Sequence, residues 1–370
     1  MSRPKVRPAR PYFSSGPCAK PPGWTPDKLN LEGLGRSHRG AYNKARLAHC
    51  IALMREVLEL PDSHRIGIVP GSDTGAFEMA MWSMLGERPV TAMGWESFGK
   101  DWVKDVGDQL KLDSNLVTAD YGELPDLAAV DWSHDVLFTW NGTTSGVRVP
   151  DGKWIAEDRA GLSFADSTSA VFAMRIPWDK VDVATFSWQK VLGGEAAHGV
   201  LILGPRAVER LESYTPDRPL PKLFRMTKGG KINEGIFTGA TINTPSMLCV
   251  EDAIHSLEWA KSIGGLEGMI ARANANAAAV DALVEDRSWL HHLCTNPALR
   301  SVTGVCLTAD AEPDRIKAMV KLLEDEDVAY DFGAYRDAPP GFRIWCGATV
   351  DTADVEALGP WLDWAWEQTQ

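Results

Sequence analysis

No C-x-x-C pair and no zinc-ligand spacing occurs among the six cysteines, Cys18, Cys50, Cys249, Cys294, Cys306 and Cys346. That removes a dithiol redox centre and a zinc site, so no metal is expected, and it leaves buried free thiols in a reducing cytosol. No run of ~18 apolar residues is present, so no membrane-spanning helix is expected. The basic N-terminus (Arg3, Lys5, Arg7, Arg10) lacks the apolar core of a secretory signal, and its prolines oppose an amphipathic transit helix. A surplus of cations is missing too. Asp plus Glu outnumber Lys plus Arg by 50 to 38, a formal charge of −12. Such a chain is a poor general binder of nucleic acid or anionic membrane. It can still hold anionic metabolites where a few arginines converge. There is no internal repeat and no low-complexity linker. These absences describe a cytoplasmic globular protein.

What is present is an ordinary apolar fraction of 44% in 370 residues, enough for two domains. The Pro- and Gly-rich stretch 1–30 reads as an extended arm. Leu47, Ile51, Met54 and Leu58 share one face of a helix over 44–58. Ile66–Val69 is a short buried strand. It ends in Pro70-Gly71-Ser72-Asp73-Thr74-Gly75, and a helix-like stretch runs from Ala76 to Leu85. Further strands are expected at 136–140, at 162–165, at 183–187 and at 200–203. Strands alternating with helical spacers argue for an α/β fold with a mostly parallel sheet. After about residue 260 the pattern changes. A helix at ~268–286, a strand at 302–307, a helix at 313–325, strands at 328–332 and 342–346 and a Trp-rich helical end read as a smaller α+β domain. The arm 1–12 is expected to pack on it, giving a large domain at 13–258 and a small one at 259–370.

Lys190 follows directly on a buried strand and precedes a Gly pair, in Ser187-Trp188-Gln189-Lys190-Val191-Leu192-Gly193-Gly194. Taken alone, a solvated loop lysine is the ordinary reading. Partial loss of hydration would lower its pKa and free the amine to attack an aldehyde. Asp166 ends the preceding strand, 24 residues upstream. Adjacent parallel strands would bring both to one carboxyl edge, where open α/β sheets bind ligands. A carboxylate there suits the pyridinium nitrogen of pyridoxal 5′-phosphate (PLP). Gly71–Gly75 joins a strand to a helix and could cradle the PLP phosphate on backbone N–H groups. A Thr hydroxyl of the polar loop Asn141–Gly146 could bond the phenolic oxygen of PLP. Phe98 is chosen over Trp95 to stack on the ring.

The order Ser37-His38-Arg39, the phosphate turn, N-x-T-x-x-G at Asn141–Gly146, Ala165-Asp166-Ser167-Thr168, Gln189-Lys190 and Asn243-Thr244-Pro245 resembles the phosphoserine aminotransferases. These are class V, fold-type I enzymes, and the likeness spans nearly the whole chain. It implies a seven-stranded, mostly parallel sheet and a homodimer with shared sites. It implies that Lys190 binds PLP as a Schiff base and shuttles a proton, and that Asp166 pairs with the ring nitrogen. Asp73, Thr74 and Gln189 would bind the PLP phosphate, and Thr143 the phenolic oxygen. Asn243 and Thr244 would reach it from a second subunit. Arg343 would bind the substrate carboxylate, and His38, Arg39 and Arg336 its phosphate. The implied reaction exchanges an amino group between glutamate/2-oxoglutarate and 3-phosphohydroxypyruvate/O-phospho-L-serine in serine biosynthesis, with 4-phosphohydroxy-L-threonine of pyridoxine synthesis as a further substrate.

The sequence departs from the family in three places. The turn reads Gly-Ser-Asp-Thr-Gly where a glycine-rich run is commonest, Tyr335-Arg336 replaces His-Arg, and Phe replaces the common stacking Trp. Asp73 puts a carboxylate near a phosphate unless its side chain turns away. The rival readings are another class V enzyme, such as an alanine– or serine–glyoxylate aminotransferase, and a PLP-free metabolite-binding protein on this scaffold.

Overall fold

A computed structural model describes residues 2–370. The chain builds its main layer from β1 (Arg65–Pro70), β2 (Val90–Gly94), β3 (Ser114–Thr118), β4 (Asp135–Thr139), β7 (Ser163–Asp166), β8 (Val183–Ser187) and β9 (His198–Leu203). They form one seven-stranded sheet in the order β1-β9-β8-β7-β4-β2-β3. The pairs β3/β2, β2/β4, β4/β7 and β7/β8 are parallel. Strand β9 runs antiparallel to both of its neighbours, β8 and β1. Two-residue ribbons, β5 (Asn141–Gly142) with β6 (Val147–Arg148) and β10 (Thr227–Lys228) with β11 (Lys231–Ile232), lie outside this layer. The α/β class and the mostly parallel seven-stranded sheet are as expected.

Helices α1 (Ala41–Val57), α2 (Ser72–Met84), α3 (Ser97–Lys104), α4 (Pro205–Ser213) and α5 (Met247–Ser262) accompany this sheet. Phe77, Met81, Met84, Leu201 and Ala207 belong to the core that α2 and α4 build on one face. A second core contains Ile66, Phe138 and Phe186 together with Val305 and Ile344, so it runs on into the later part of the chain. There, β12 (Leu290–His292), β13 (Gly304–Ala309) and β14 (Phe342–Trp345) form an antiparallel sheet. Around it lie α6 (Gly265–Glu285), α7 (Pro313–Asp325), α8 (Thr352–Glu356) and α9 (Leu358–Gln368). Position 258 falls inside α5.

The arm is stitched to this second sheet. Tyr330 N–H donates to Pro11 O at 2.9 Å, Trp345 N–H to Phe13 O at 3.2 Å, and Trp361 Nε1 to Val6 O at 2.6 Å. The strand expected at 328–332 is instead an isolated bridge, Tyr12 to Tyr330. Its apolar residues face the core without a continuing ladder. The spacer between β7 and β8 is a series of turns, not a helix. Buried ion pairs pin the amino edge of the main sheet. Arg210 holds Asp135 at the start of β4, and Arg159 holds Asp182 just before β8. Such pairs fix geometry more than they add stability. The opposite, carboxyl edge carries the site.

Candidate active site

Strands β7 and β8 end beside each other at the carboxyl edge, with Asp166 and Thr185 as cross-strand partners. After Ser187 the chain folds back tightly, with Gly193 N–H donating to Lys190 O and Gly194 N–H to Trp188 O, both at 2.9 Å. Gly193 has φ +64°, and a Cβ there would meet Ala19 O at 2.2 Å, so glycine is required. This turn presents Lys190, 8% exposed, to a cavity of about 290 Å³. Nζ donates to Ser15 O and lies 5.8 Å from the Phe98 ring centroid. Burial lowers the Lys190 pKa, with Arg343 acting in the same direction against the pull of Cys18, Asp166 and Glu96. The amine is therefore readier than an ordinary lysine to lose its proton. Cys18 nearby stays a neutral thiol, pushed up to about 12 by burial.

Asp166 lines the same cavity. Its Oδ2 accepts from Trp102 Nε1 at 3.0 Å and its Oδ1 from Thr168 N–H at 3.1 Å. Both oxygens of this carboxylate therefore have a fixed N–H partner. The sequence reading missed Trp102. It stands one turn beyond Phe98 on α3, so the two rings share a helix face. Glu96 caps that helix, accepting from Gly99 N–H at 2.7 Å, and also accepts from the Thr144 hydroxyl at 2.7 Å. It thereby ties α3 to the Asn141–Gly146 loop. A Trp102→Phe variant should keep KM and lose about tenfold in kcat, the scale of one hydrogen bond to a charged group. Steady-state kinetics on both substrates measures this.

The third wall is the start of α2. A Cβ at Gly75 would meet Pro70 O at 2.2 Å, so only glycine lets the helix begin this close to β1. Ser72, Asp73 and Thr74 line the cavity, and the first-turn N–H groups of a helix have no partner within it. Gln189 Oε1, Thr139 Oγ1 and Asp73 Oδ1 are buried without a hydrogen-bond partner, and all three residues line this cavity. Thr143 lines it too, its hydroxyl donating to Ser169 Oγ at 2.8 Å. These polar atoms fit PLP: a carboxylate for the ring nitrogen, a helix start for the phosphate, and a lysine with a lowered pKa for the aldehyde.

The remaining predicted residues are dispersed. Trp95 is fully buried and donates to Val147 O, while Phe98 and Trp102 are the aromatics that line the cavity. Tyr335 packs on Phe98 with centroids 5.6 Å apart. The Arg336 and Arg343 guanidiniums lie 5.6 and 5.4 Å from the Tyr335 ring. Arg343 Nε is buried and unpartnered, whereas Arg336 is exposed and borders a separate groove beside α7. His38, Arg39, Asn243 and Thr244 do not line the cavity of their own chain.

The layered sheet with a lysine and an aspartate at its carboxyl edge is the scaffold of the fold-type I aminotransferases. A phosphoserine aminotransferase from Cytophaga hutchinsonii superposes with TM-score 0.84 at 22% identity, covering 96% of this chain and 98% of the other. A structure described as PLP-bound phosphoserine aminotransferase from Trichomonas vaginalis superposes with TM-score 0.78 at 18% identity, covering 96% and 99%. No family profile matches the chain. Phosphoserine aminotransferase of Methanosarcina mazei is 56% identical over 366 residues, 99% of each chain. That of Methanosarcina barkeri is 56% identical over 365 residues, 98% of this chain and 99% of the other. The chain belongs to the phosphoserine aminotransferase family.

Proposed function

We propose that this chain exchanges an amino group between glutamate/2-oxoglutarate and 3-phosphohydroxypyruvate/O-phospho-L-serine in serine biosynthesis, with PLP held on Lys190. The observation that carries this reading is the buried Lys190 amine sharing one cavity with Asp166 and the open first turn of α2. Family membership supplies the substrate. Bound PLP would supply an aldehyde for the amino group and a ring that withdraws electrons from the substrate α-carbon.

The chain's own groups do the rest. Lys190 Nζ, its pKa lowered by burial, takes the α-carbon proton and returns it. Asp166, held by Trp102 and Thr168, would pair with the ring nitrogen of PLP and keep it protonated. The start of α2 and Gln189 would hold the phosphate of PLP, with Phe98 at its ring and Thr143 at its phenolic oxygen. Arg343 binds the substrate α-carboxylate as a planar fork. His38, Arg39 and Arg336 bind the substrate phosphate. His38, Arg39, Asn243 and Thr244 lie outside their own chain's cavity, and a second copy would bring them in. A homodimer with shared sites is therefore part of the reading. Residues 13–258 would form the PLP-binding domain, and 259–370 with the arm a smaller domain carrying the arginines. A cytoplasmic location and a second substrate, 4-phosphohydroxy-L-threonine, complete the proposal.

Spectral titration with L-phosphoserine, L-serine and L-glutamate tests it. Phosphoserine and glutamate should discharge the lysine-bound absorbance band and serine should not. Equal use of serine would favour a glyoxylate-type aminotransferase. A colourless protein that takes up no added PLP would end the reading. Tyr335, touched by both arginine forks, should govern how they are spaced. Tyr335→Leu is expected to raise KM for phosphoserine about tenfold, the scale of one or two cation–π contacts, with a smaller change in kcat.

A further inference from the structure

The first turn of α2 carries a carboxyl group that the reaction above does not use. Asp73 is 6% exposed, and its side chain lies inward against Thr185 and Asp166 instead of at the open end of the helix. Its Oδ1 is buried and unpartnered. Both oxygens of Asp166 already accept donors, from Trp102 and from Thr168. Two carboxylates side by side in a dry site cannot both be ionised. Asp166 accepts an N–H donor on each oxygen, whereas Asp73 faces only the Thr185 hydroxyl and keeps Oδ1 buried without a partner, so the shared proton belongs on Asp73. Burial foremost, then the Asp166 charge, raise the Asp73 carboxyl well above the usual carboxylate range, with Lys190 opposing. Glu96 lines the same cavity; burial raises its carboxyl as well, the Gly99 and Thr144 donors oppose this, and the Asp166 charge raises it further.

We infer that Asp73 stands as a neutral carboxylic acid whose O–H is directed at the Asp166 carboxylate, making it a positioning residue that sets how tightly Asp166 holds a proton on a ligand's ring nitrogen. The second half of this inference rests on the PLP reading. The first half does not. A neutral Asp73 also removes the conflict raised by a carboxylate in a phosphate-binding turn. The helix start keeps its attraction for an anion because the side chain beneath it carries no charge. Donating to Asp166 spreads that carboxylate's charge and makes it less basic. Removing the donor without adding charge should therefore strengthen its hold on a ring proton.

The experiment has two arms on the full chain. In the first, without cofactor, the protein is labelled with carbon-13 at the aspartate carboxyls. Infrared and NMR spectra are then recorded from neutral to alkaline pH. One aspartate should be protonated at neutral pH, and its signal should vanish in Asp73→Asn. If every aspartate of the parent is ionised at neutral pH, the inference is overturned. In the second arm, PLP-loaded parent, Asp73→Asn and Asp73→Ala are titrated by absorbance. Asn keeps a neutral donor, so it should hold the midpoint and bind PLP within about threefold of the parent. Ala should move the midpoint upward by about one pH unit. An unmoved midpoint in Asp73→Ala, or an Asn variant that shifts as far as Ala, overturns the positioning role. If the parent itself takes up no PLP, the cofactor reading fails, while the first arm still decides where the proton sits.

Discussion

A Lys190→Ala protein should be purified colourless and should turn over O-phospho-L-serine about 10²–10⁴-fold more slowly than the parent, the range lost with a positioned general acid–base group. Lys190 is 8% exposed, so its ammonium form has shed most of its hydration, and its pKa falls accordingly. A lysine with its pKa lowered releases its proton on the alkaline side sooner than a surface lysine does. Uptake of PLP by the cofactor-free chain should thus accelerate as pH rises through a window below the ordinary lysine range, then level off. Lys190→Arg is the informative companion. A guanidinium keeps the charge and much of the length but cannot deprotonate, so it should fail as completely as alanine. Absorbance scans and kcat/KM for both variants check this. Parental colour and turnover in either one would remove Lys190 from the site.

Asp166→Asn is expected to retain bound PLP but to lose about 10²–10³-fold in kcat, the range for removing one preorganised electrostatic partner. The substitution is nearly isosteric. One amide oxygen can still accept from Trp102 or Thr168, so the loop geometry should survive. What disappears is the negative charge that keeps a ring nitrogen protonated, and with it the ring's capacity to absorb electrons. The phosphate turn and Lys190 are untouched, which is why cofactor binding should persist while kcat falls and KM stays nearly constant. Crystal-clear separation comes from stopped-flow half-reactions with glutamate, in which the amino-transfer step alone should slow.

The sequence was most readable where local chemistry and chain order coincide. Asp166 and Lys190 each end or follow a compact apolar run, and parallel pairing of β7 with β8 brings those ends together. The turn at Gly71–Gly75 is legible for the same reason, although the helix begins at Ser72 and not Ala76, because Gly75 permits close approach to Pro70. Edge strand β3, Ser114-Asn115-Leu116-Val117-Thr118, escaped notice because it is polar and partly exposed. Its alternation is too weak for a two-residue period to stand out. Trp102 escaped for a different reason. Its acceptor is 64 residues away, and nothing local distinguishes a core tryptophan from one that donates to a carboxylate. The inward turn of Asp73 is likewise a property of packing, invisible until α2 meets β8.

The stitching of the N-terminal arm bears on when this protein becomes competent during synthesis. Lys190 Nζ is held by Ser15 O, and two residues upstream Phe13 O is held by Trp345 N–H. The arm that positions the amine is thus itself positioned by a strand near the other end of the chain. Contacts of such long sequence separation form late, after the loops between them have closed. A ribosome-bound chain lacking β14 therefore presents the lysine without its finished surroundings. Capture of the cofactor should belong to the completed polypeptide, not to the emerging one.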